Sequence, residues 1–131
     1  MRIGVVGAGL AGTLLAWRLA DAADVELLGD LRDNAATAMS GGAVRAYETH
    51  PVQRRLAVDS LAELLSSRVL LDWADFRRTG SWYVRSDADL AAQLREIEDA
   101  IPGSVACERP DLHGVPAGTV AVTERFAGYN R

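Results

Sequence analysis

The strand-to-helix turn near the start of the chain is the feature that most constrains the fold. Residues 3–12 read Ile-Gly-Val-Val-Gly-Ala-Gly-Leu-Ala-Gly, a short apolar run that leads directly into G-x-G-x-x-G. The first glycine permits a tight turn, the second lets the backbone approach a pyrophosphate, and the third lets the following helix pack on the strand. The diphosphate would lie at the helix N-terminus, where free N–H groups favour negative charge. The motif predicts a dinucleotide site at Gly7, Ala8, Gly9, Leu10, Ala11 and Gly12.

The residues around this turn predict a complete βαβ unit. Residues 10–22 have apolar side chains at helical spacing, and Val25–Leu28 reads as a second strand. The motif expects a carboxylate at the end of that strand to bind the adenosine ribose. Gly29 follows the strand directly and Asp30 comes next. We therefore predict that Asp30 binds the ribose, in preference to Glu26, which lies inside the strand.

Length and composition exclude several classes of function. A chain of 131 residues with net charge −4 predicts one domain and gives no electrostatic argument for nucleic-acid binding. The single cysteine excludes an internal disulfide and a cysteine-based metal cluster, and the absence of lysine excludes Schiff-base chemistry on this chain. No apolar run approaches the length of a membrane span, and the N-terminal apolar segment begins a fold. The expectation is a cytoplasmic protein with no metal, membrane or nucleic-acid partner.

The rest of the chain predicts further helices and strands. An extended segment over 43–48 precedes a helix that Pro51 opens and that runs to about Ser67. Residues 76–86 read as strand around a Thr79-Gly80 turn, and residues 90–101 read as a helix behind a capping box at Ser86 and Asp89. A last strand is predicted over 119–123, and the three tryptophans are predicted to pack. The order indicates an α/β fold, with a helix–strand–helix segment appended to the βαβ unit.

Four stretches together resemble the N-terminal part of a known flavoenzyme family. They are residues 5–12, the loop Thr-Ala-Met-Ser-Gly-Gly-Ala-Val-Arg at 37–45, Thr-Gly-Ser-Trp-Tyr-Val at 79–84, and Ala-Gly-Tyr at 127–129. In their order and spacing the chain resembles FAD-dependent amine and amino-acid oxidoreductases of the D-amino-acid oxidase, glycine oxidase and sarcosine oxidase type.

The resemblance implies a Rossmann-like domain that holds FAD with its adenosine end on the βαβ unit. The loop Ser40, Gly41, Gly42 and Ala43 would then run past the pyrophosphate toward the flavin ring, with the Ser40 hydroxyl available to phosphate. Arg45 would lie near the flavin, where its charge would stabilise reduced anionic flavin or a substrate carboxylate. The implied reaction is oxidation of a C–N bond in an amine or amino acid by hydride transfer to flavin, with oxygen as acceptor. No catalytic acid, base or nucleophile can be assigned.

The chain departs from the family in two places. The family places glutamate at the end of the second strand, where this chain has Gly29, and its members continue well beyond the position of Arg131. We therefore expect residues 1–131 to be the FAD-binding N-terminal portion of a larger two-domain flavoenzyme. A second polypeptide would complete the fold in a heteromer, because a half-built flavin pocket exposes apolar surface.

Two other functions stay open. The same N-terminus resembles nicotinamide-dependent reductases of the ketopantoate type, in which Arg32 would meet the 2′-phosphate of NADP. The break in regular βα alternation after residue 50 disfavours that interpretation. The chain would otherwise be a non-catalytic nucleotide-binding subunit.

Overall fold

The chain divides into two compact units, Met1–Gly41 and Gly42–Arg131. The structure is a computed structural model, and it describes residues 1–30, 36–37, 39–85, 90–108 and 119–130. Helices and strands are mixed in both sequence and space, which confirms the predicted α/β class.

The first unit is a βαβ unit. Strand β1 (Arg2–Val6) and strand β2 (Asp24–Leu28) pair in parallel over their whole length and are joined by helix α1 (Leu10–Leu19). Parallel neighbours need a crossover connection of this kind. The element types and order confirm the prediction. The helix is shorter than the predicted 10–22, because the chain turns after Leu19 and returns to β2.

Three helices lie in the described part of the second unit: α2 (Pro51–Ser66), α3 (Arg68–Trp73) and α4 (Leu90–Ala100). Pro51 occupies the first turn of α2, where its missing N–H costs no hydrogen bond. Ser67 separates α2 from α3, because its hydroxyl accepts a hydrogen bond from the Leu70 amide at 3.3 Å and so begins a new helix. The sequence did not predict α3. The capping box proposed at residues 86 and 89 lies outside the described residues.

The described strands of the second unit form two antiparallel sheets. The strands are β3 (Ala43–Val44), β4 (Arg77–Arg78), β5 (Ser81–Arg85), β6 (Val105–Glu108), β7 (Val120–Glu124) and β8 (Gly128–Tyr129). In one sheet β8 lies between β3 and β4, and in the other β7 lies between β5 and β6. The predicted turn at Thr79-Gly80 separates β4 from β5, and the predicted last strand is observed one residue later, as β7. The sequence did not predict β6.

The extended segment predicted over 43–48 is strand only at Ala43–Val44. The chain leaves the sheet there because the backbone N–H groups of Ala46 and Tyr47 bond to a buried side chain, Glu124, instead of to a neighbouring strand. One of these two amides, that of Ala46, follows directly after the predicted site residue Arg45.

The core of the second unit lies between α2, α4 and the central strand β7. Its buried members are Ala46, Tyr47, Val58, Leu61, Leu90, Ile97, Ile101 and Val122. Apolar residues recur every three or four positions on both helices, so the predicted apolar faces of α2 and α4 are confirmed. No helix in the described ranges is long and apolar enough to cross a membrane.

The packing predicted for the tryptophans is wrong. Trp17, Trp73 and Trp82 are exposed by 43%, 53% and 55%. The reason is clearest on β5, where side chains alternate between the two faces of the sheet. Trp82 and Val84 share the exposed face, whereas Tyr83 is on the face that packs against the core.

Candidate functional site

The glycine-rich turn between β1 and α1 has the backbone shape that its sequence predicts. Gly7 has φ of +106°, a conformation that L side chains rarely adopt. Its amide donates to the carbonyl oxygen of Leu28 at 2.7 Å, which ties the turn to the end of β2. Gly7 therefore lets the chain reverse from strand into helix while the end of the parallel pair stays intact.

Helix α1 packs directly on this turn. A Cβ atom on Gly12 would lie 1.8 Å from the carbonyl oxygen of Gly7 and 3.6 Å from a methyl of Val5, the buried residue of β1. Only hydrogen fits at this position. The absence of a side chain at Gly12 is what brings the first turn of α1 against the strand.

The N-terminus of α1 presents backbone donors. The helix begins after Gly9, which is extended and provides no side-chain cap. The Leu10 amide donates to the hydroxyl of Thr37 at 3.1 Å, and the next amides, of Ala11 and Gly12, have no partner within the helix. Such donors and the helix dipole together form an anion site. A pyrophosphate fits this cradle, because Gly9 has no Cβ and the nearest side-chain atom, the Thr37 hydroxyl, is itself polar.

The backbone around Gly29 explains why the carboxylate that the motif expects at the end of β2 is absent there. A Cβ on Gly29 would lie 2.5 Å from the Ala8 amide nitrogen, so a glutamate at this position would collide with the glycine-rich turn. Asp30 is therefore the first position after β2 that can carry a carboxylate, and it is exposed. Arg32 lies outside the described residues.

The loop residues predicted to follow the pyrophosphate fall in both units. Ser40 and Gly41 end the first unit and are exposed, and the Ser40 amide donates to the Thr37 carbonyl oxygen at 3.2 Å. Gly42 and Ala43 begin the second unit, where the Gly42 carbonyl oxygen accepts from Asn130 at 2.9 Å. The structure thus groups residues 7–12 with Asp30 in one unit, and Gly42 and Ala43 with Arg45 in the other.

Arg45 is a fixed, half-exposed cation just after β3. Its Nε and Nη2 atoms donate to Oε1 of Glu48 at 3.0 and 2.7 Å, and its guanidinium carbon lies 5.9 Å from the centroid of the Tyr83 ring. The hydrogen bond to Glu48 raises the pKa of Arg45 above its ordinary value, so the side chain keeps its charge. With 45% of its side chain exposed, Arg45 is able to bind a further anion.

Sequence reasoning missed the buried carboxylate behind Arg45. Glu124 is fully buried, and it accepts hydrogen bonds from the amides of Ala46 and, at 3.1 Å, Tyr47. Burial raises the pKa of the Glu124 carboxyl above its ordinary value, although these backbone hydrogen bonds and the nearby arginine charge act in the opposite direction. A signal was present: in β7 the acid occupies the inward side of the strand, two residues after Val122, where alternation calls for an apolar side chain.

Tyr83 links Arg45 to this carboxylate. Its ring lies 5.0 Å from the Tyr47 ring, and burial raises the pKa of its phenol, which therefore stays neutral. We call Arg45, Tyr47, Glu48, Tyr83 and Glu124 the Glu124 cluster. In the part of the chain that the structure describes, no group of histidine, cysteine or acidic side chains could hold a metal ion.

Comparison with known proteins identifies the family. The chain is 31% identical over 125 residues to methylenetetrahydrofolate–tRNA-(uracil-5-)-methyltransferase TrmFO of Phenylobacterium zucineum (strain HLK1), a match that covers 94% of this chain and 20% of the relative. The chain thus spans about a fifth of the length of this curated relative. No solved structure matches the chain. Residues 2–123 match the DAO family, described as FAD dependent oxidoreductase. This match confirms the predicted cofactor, FAD, and the Rossmann-like βαβ unit, and the chain belongs to the FAD-dependent oxidoreductase family.

Proposed function

We propose that the chain is the FAD-binding portion of an oxidoreductase that oxidises a C–N bond in an amine or amino acid. The family match supports the flavin over the nicotinamide alternative. Arg45 is the observation that carries the substrate class, because it is a held and half-exposed cation that can pair with a carboxylate.

The residues of this chain divide into those that would hold FAD and one that would act near the reaction. The amides at the start of α1, together with Gly7, Ala8 and Gly9, would bind the pyrophosphate, and Asp30 would accept hydrogen bonds from the ribose. Ser40, Gly41, Gly42 and Ala43 would line the cofactor further along. Arg45 would supply positive charge near the flavin ring or orient a substrate carboxylate.

When bound, FAD would supply the redox chemistry, namely acceptance of a hydride from the carbon beside the substrate nitrogen, with oxygen as the final electron acceptor. The protein contributes binding, orientation and electrostatics. Further chain, in the same or a second polypeptide, would supply the substrate-binding residues and the rest of the flavin pocket.

The relative suggests a second candidate, a folate-dependent methyltransferase that acts on tRNA. The 31% identity supports it, but the match covers only 20% of the relative. The net charge of −4 also offers no electrostatic attraction to RNA. We therefore place it second.

Anaerobic reduction of the bound flavin distinguishes the two. The purified flavoprotein is mixed with a panel of amines, D- and L-amino acids and, separately, methylenetetrahydrofolate, and the visible flavin absorbance is followed. Bleaching by an amine or amino acid, with peroxide formed after oxygen is admitted, is the expected result. If no amine or amino acid bleaches the flavin, and dithionite-reduced flavin is instead reoxidised without oxygen by methylenetetrahydrofolate together with a tRNA, the second candidate is supported and the first is refuted.

A further inference from the structure

A buried acid terminates the central strand of the second unit. Glu124 is the last residue of β7, which lies between β5 and β6, and none of its side chain is exposed. An isolated buried carboxylate is strongly unfavourable unless it accepts hydrogen bonds. Here the partners are two consecutive backbone amides that lie 77 and 78 positions earlier in the sequence. Glu124 is therefore built into the structure as a clamp on one short segment.

That segment has no secondary structure of its own to satisfy these amides. Ala46 and Tyr47 lie between the end of β3 and the start of α2, and both are buried. A buried amide left without an acceptor is strongly unfavourable. The Glu124 carboxylate removes this cost for both amides, and in doing so it fixes the backbone at the residue that follows Arg45.

The side chain of Arg45 contacts residues that lie close to Glu124 or to the segment that Glu124 holds. Tyr83, which the guanidinium faces at 5.9 Å, pairs in register with Val122, two residues before Glu124. Tyr47, whose amide Glu124 holds, packs its ring 5.0 Å from that of Tyr83, and its hydroxyl donates to Gln93 at 3.3 Å. Glu48, which holds the guanidinium from the other side, is only one residue beyond the clamped segment. Glu124 thus holds the backbone next to Arg45 directly, and Tyr83, which the Arg45 guanidinium faces, packs against the ring of a residue in the same segment.

We propose that Glu124 is a positioning residue that fixes the direction of the Arg45 guanidinium and so the positive charge that Arg45 offers to an anion. This role rests on the proposed function of Arg45, but not on the identity of the substrate. It assigns to Glu124 an effect on anion binding that a carboxylate needed only for folding would not have.

The test uses sulfite, a small anion that adds reversibly to oxidised flavin through its sulfur lone pair, so that its binding is read from the loss of visible flavin absorbance. The dissociation constant for sulfite is measured in the purified flavoprotein and in four variants: Arg45→Gln, Glu124→Gln, the double variant, and Asp59→Asn. The Glu124→Gln substitution keeps one acceptor but turns a donor toward the second amide. Asp59→Asn removes an exposed carboxylate from α2 and serves as the matched control.

We expect Arg45→Gln to weaken sulfite binding about tenfold or more, as loss of a nearby charge requires. Glu124→Gln should weaken it roughly three- to tenfold, and the double variant should be no weaker than Arg45→Gln alone, because both changes remove the same effect. Asp59→Asn should leave the constant unchanged. Wild-type affinity in Glu124→Gln, or additive effects in the double variant, would overturn the positioning role while leaving Arg45 in place. Wild-type affinity in Arg45→Gln would instead refute the proposed function of Arg45, and the positioning role with it.

Amide hydrogen exchange provides a second readout that does not need the variants to fold. In the wild-type flavoprotein the amides of Ala46 and Tyr47 should be protected from exchange, although they lie outside every helix and strand. Exchange of these two amides at the unprotected rate would overturn the proposal.

If Glu124→Gln does not fold, Glu124→Asp, which keeps the charge on a shorter side chain, takes its place in the sulfite assay, with a smaller loss of sulfite affinity expected.

Discussion

Replacement of Gly12 by alanine tests how the βαβ unit holds the pyrophosphate. The added Cβ would lie 1.8 Å from the Gly7 carbonyl oxygen, so helix and turn would have to move apart by about 1.2 Å to reach the closest distance that real Cβ atoms show. The obstacle is backbone and not a flexible side chain, so rotamer changes cannot relieve it. We expect the free energy of unfolding to fall by about 3 kcal/mol, the upper end of the range for overpacked sites.

The same displacement should weaken FAD binding. It moves the free amides of α1 relative to the turn, and loss of one hydrogen bond to a charged pyrophosphate costs about 1.5–3 kcal/mol. That cost corresponds to roughly a ten- to hundredfold larger dissociation constant for FAD. The assay is titration of the flavin-stripped protein with FAD, followed by quenching of flavin fluorescence.

Gly4→Ala is the matched control, because it is the same substitution in the same unit. A Cβ on Gly4, in β1, would meet no atom within 4 Å, so FAD affinity should stay within about twofold of wild type. If Gly12→Ala behaves like Gly4→Ala in both assays, the close approach of α1 to the turn does not govern FAD binding.

Three further predictions follow from charged residues. Burial raises the pKa of Glu124, so the folded chain holds the carboxyl proton more tightly than the unfolded chain does. The stability that this proton contributes is therefore full below the unfolded pKa of Glu124, 4.5, and is lost as pH rises through the folded pKa. Urea unfolding between about pH 4 and pH 8 should therefore show that wild type loses stability relative to Glu124→Gln, which does not titrate, as the pH rises, and a constant difference would contradict this. Arg54 is buried and donates hydrogen bonds to Glu96 at 2.7 Å and to two backbone carbonyls. Arg54→Met should therefore lower the free energy of unfolding by about 2–3 kcal/mol, whereas Arg55→Met, which removes an exposed ion pair, should lower it by under about 0.5 kcal/mol. Equal losses in denaturant unfolding would show that burial is not decisive. Asp30→Ala should raise the dissociation constant for FAD about three- to tenfold, and an unchanged constant would remove Asp30 from the ribose site.

Local patterns were sufficient to predict the βαβ unit. The apolar run of β1, the glycine spacing and the helical periodicity of α1 act over a few residues, so each could be read without knowledge of the tertiary structure. The apolar faces of α2 and α4 were predictable for the same reason. The boundary of α1 was predicted three residues too late, because the turn after Leu19 contains no glycine or proline that would mark it.

Alternation along β7 marks Glu124 as an inward-facing acid, but its contacts in the Glu124 cluster could not be predicted in this way. Its central contact joins residues 77 and 78 positions apart, and neither Glu124 nor the clamped segment carries a recognised motif. The clamp also explains why residues 45–48 are not strand, although their composition favours an extended chain. Side-chain alternation on β5 similarly exposes Trp82, which composition alone assigns to the core.

We expect this chain to bind FAD through the glycine-rich turn and the N-terminus of α1. The most direct test is to denature the purified protein, quantify the flavin released, and titrate the stripped protein with FAD. We expect about one FAD per chain, with tight rebinding on titration by wild type and Gly4→Ala and weaker rebinding by Gly12→Ala. A purified protein that contains no flavin and takes up none at any FAD concentration tested would contradict it.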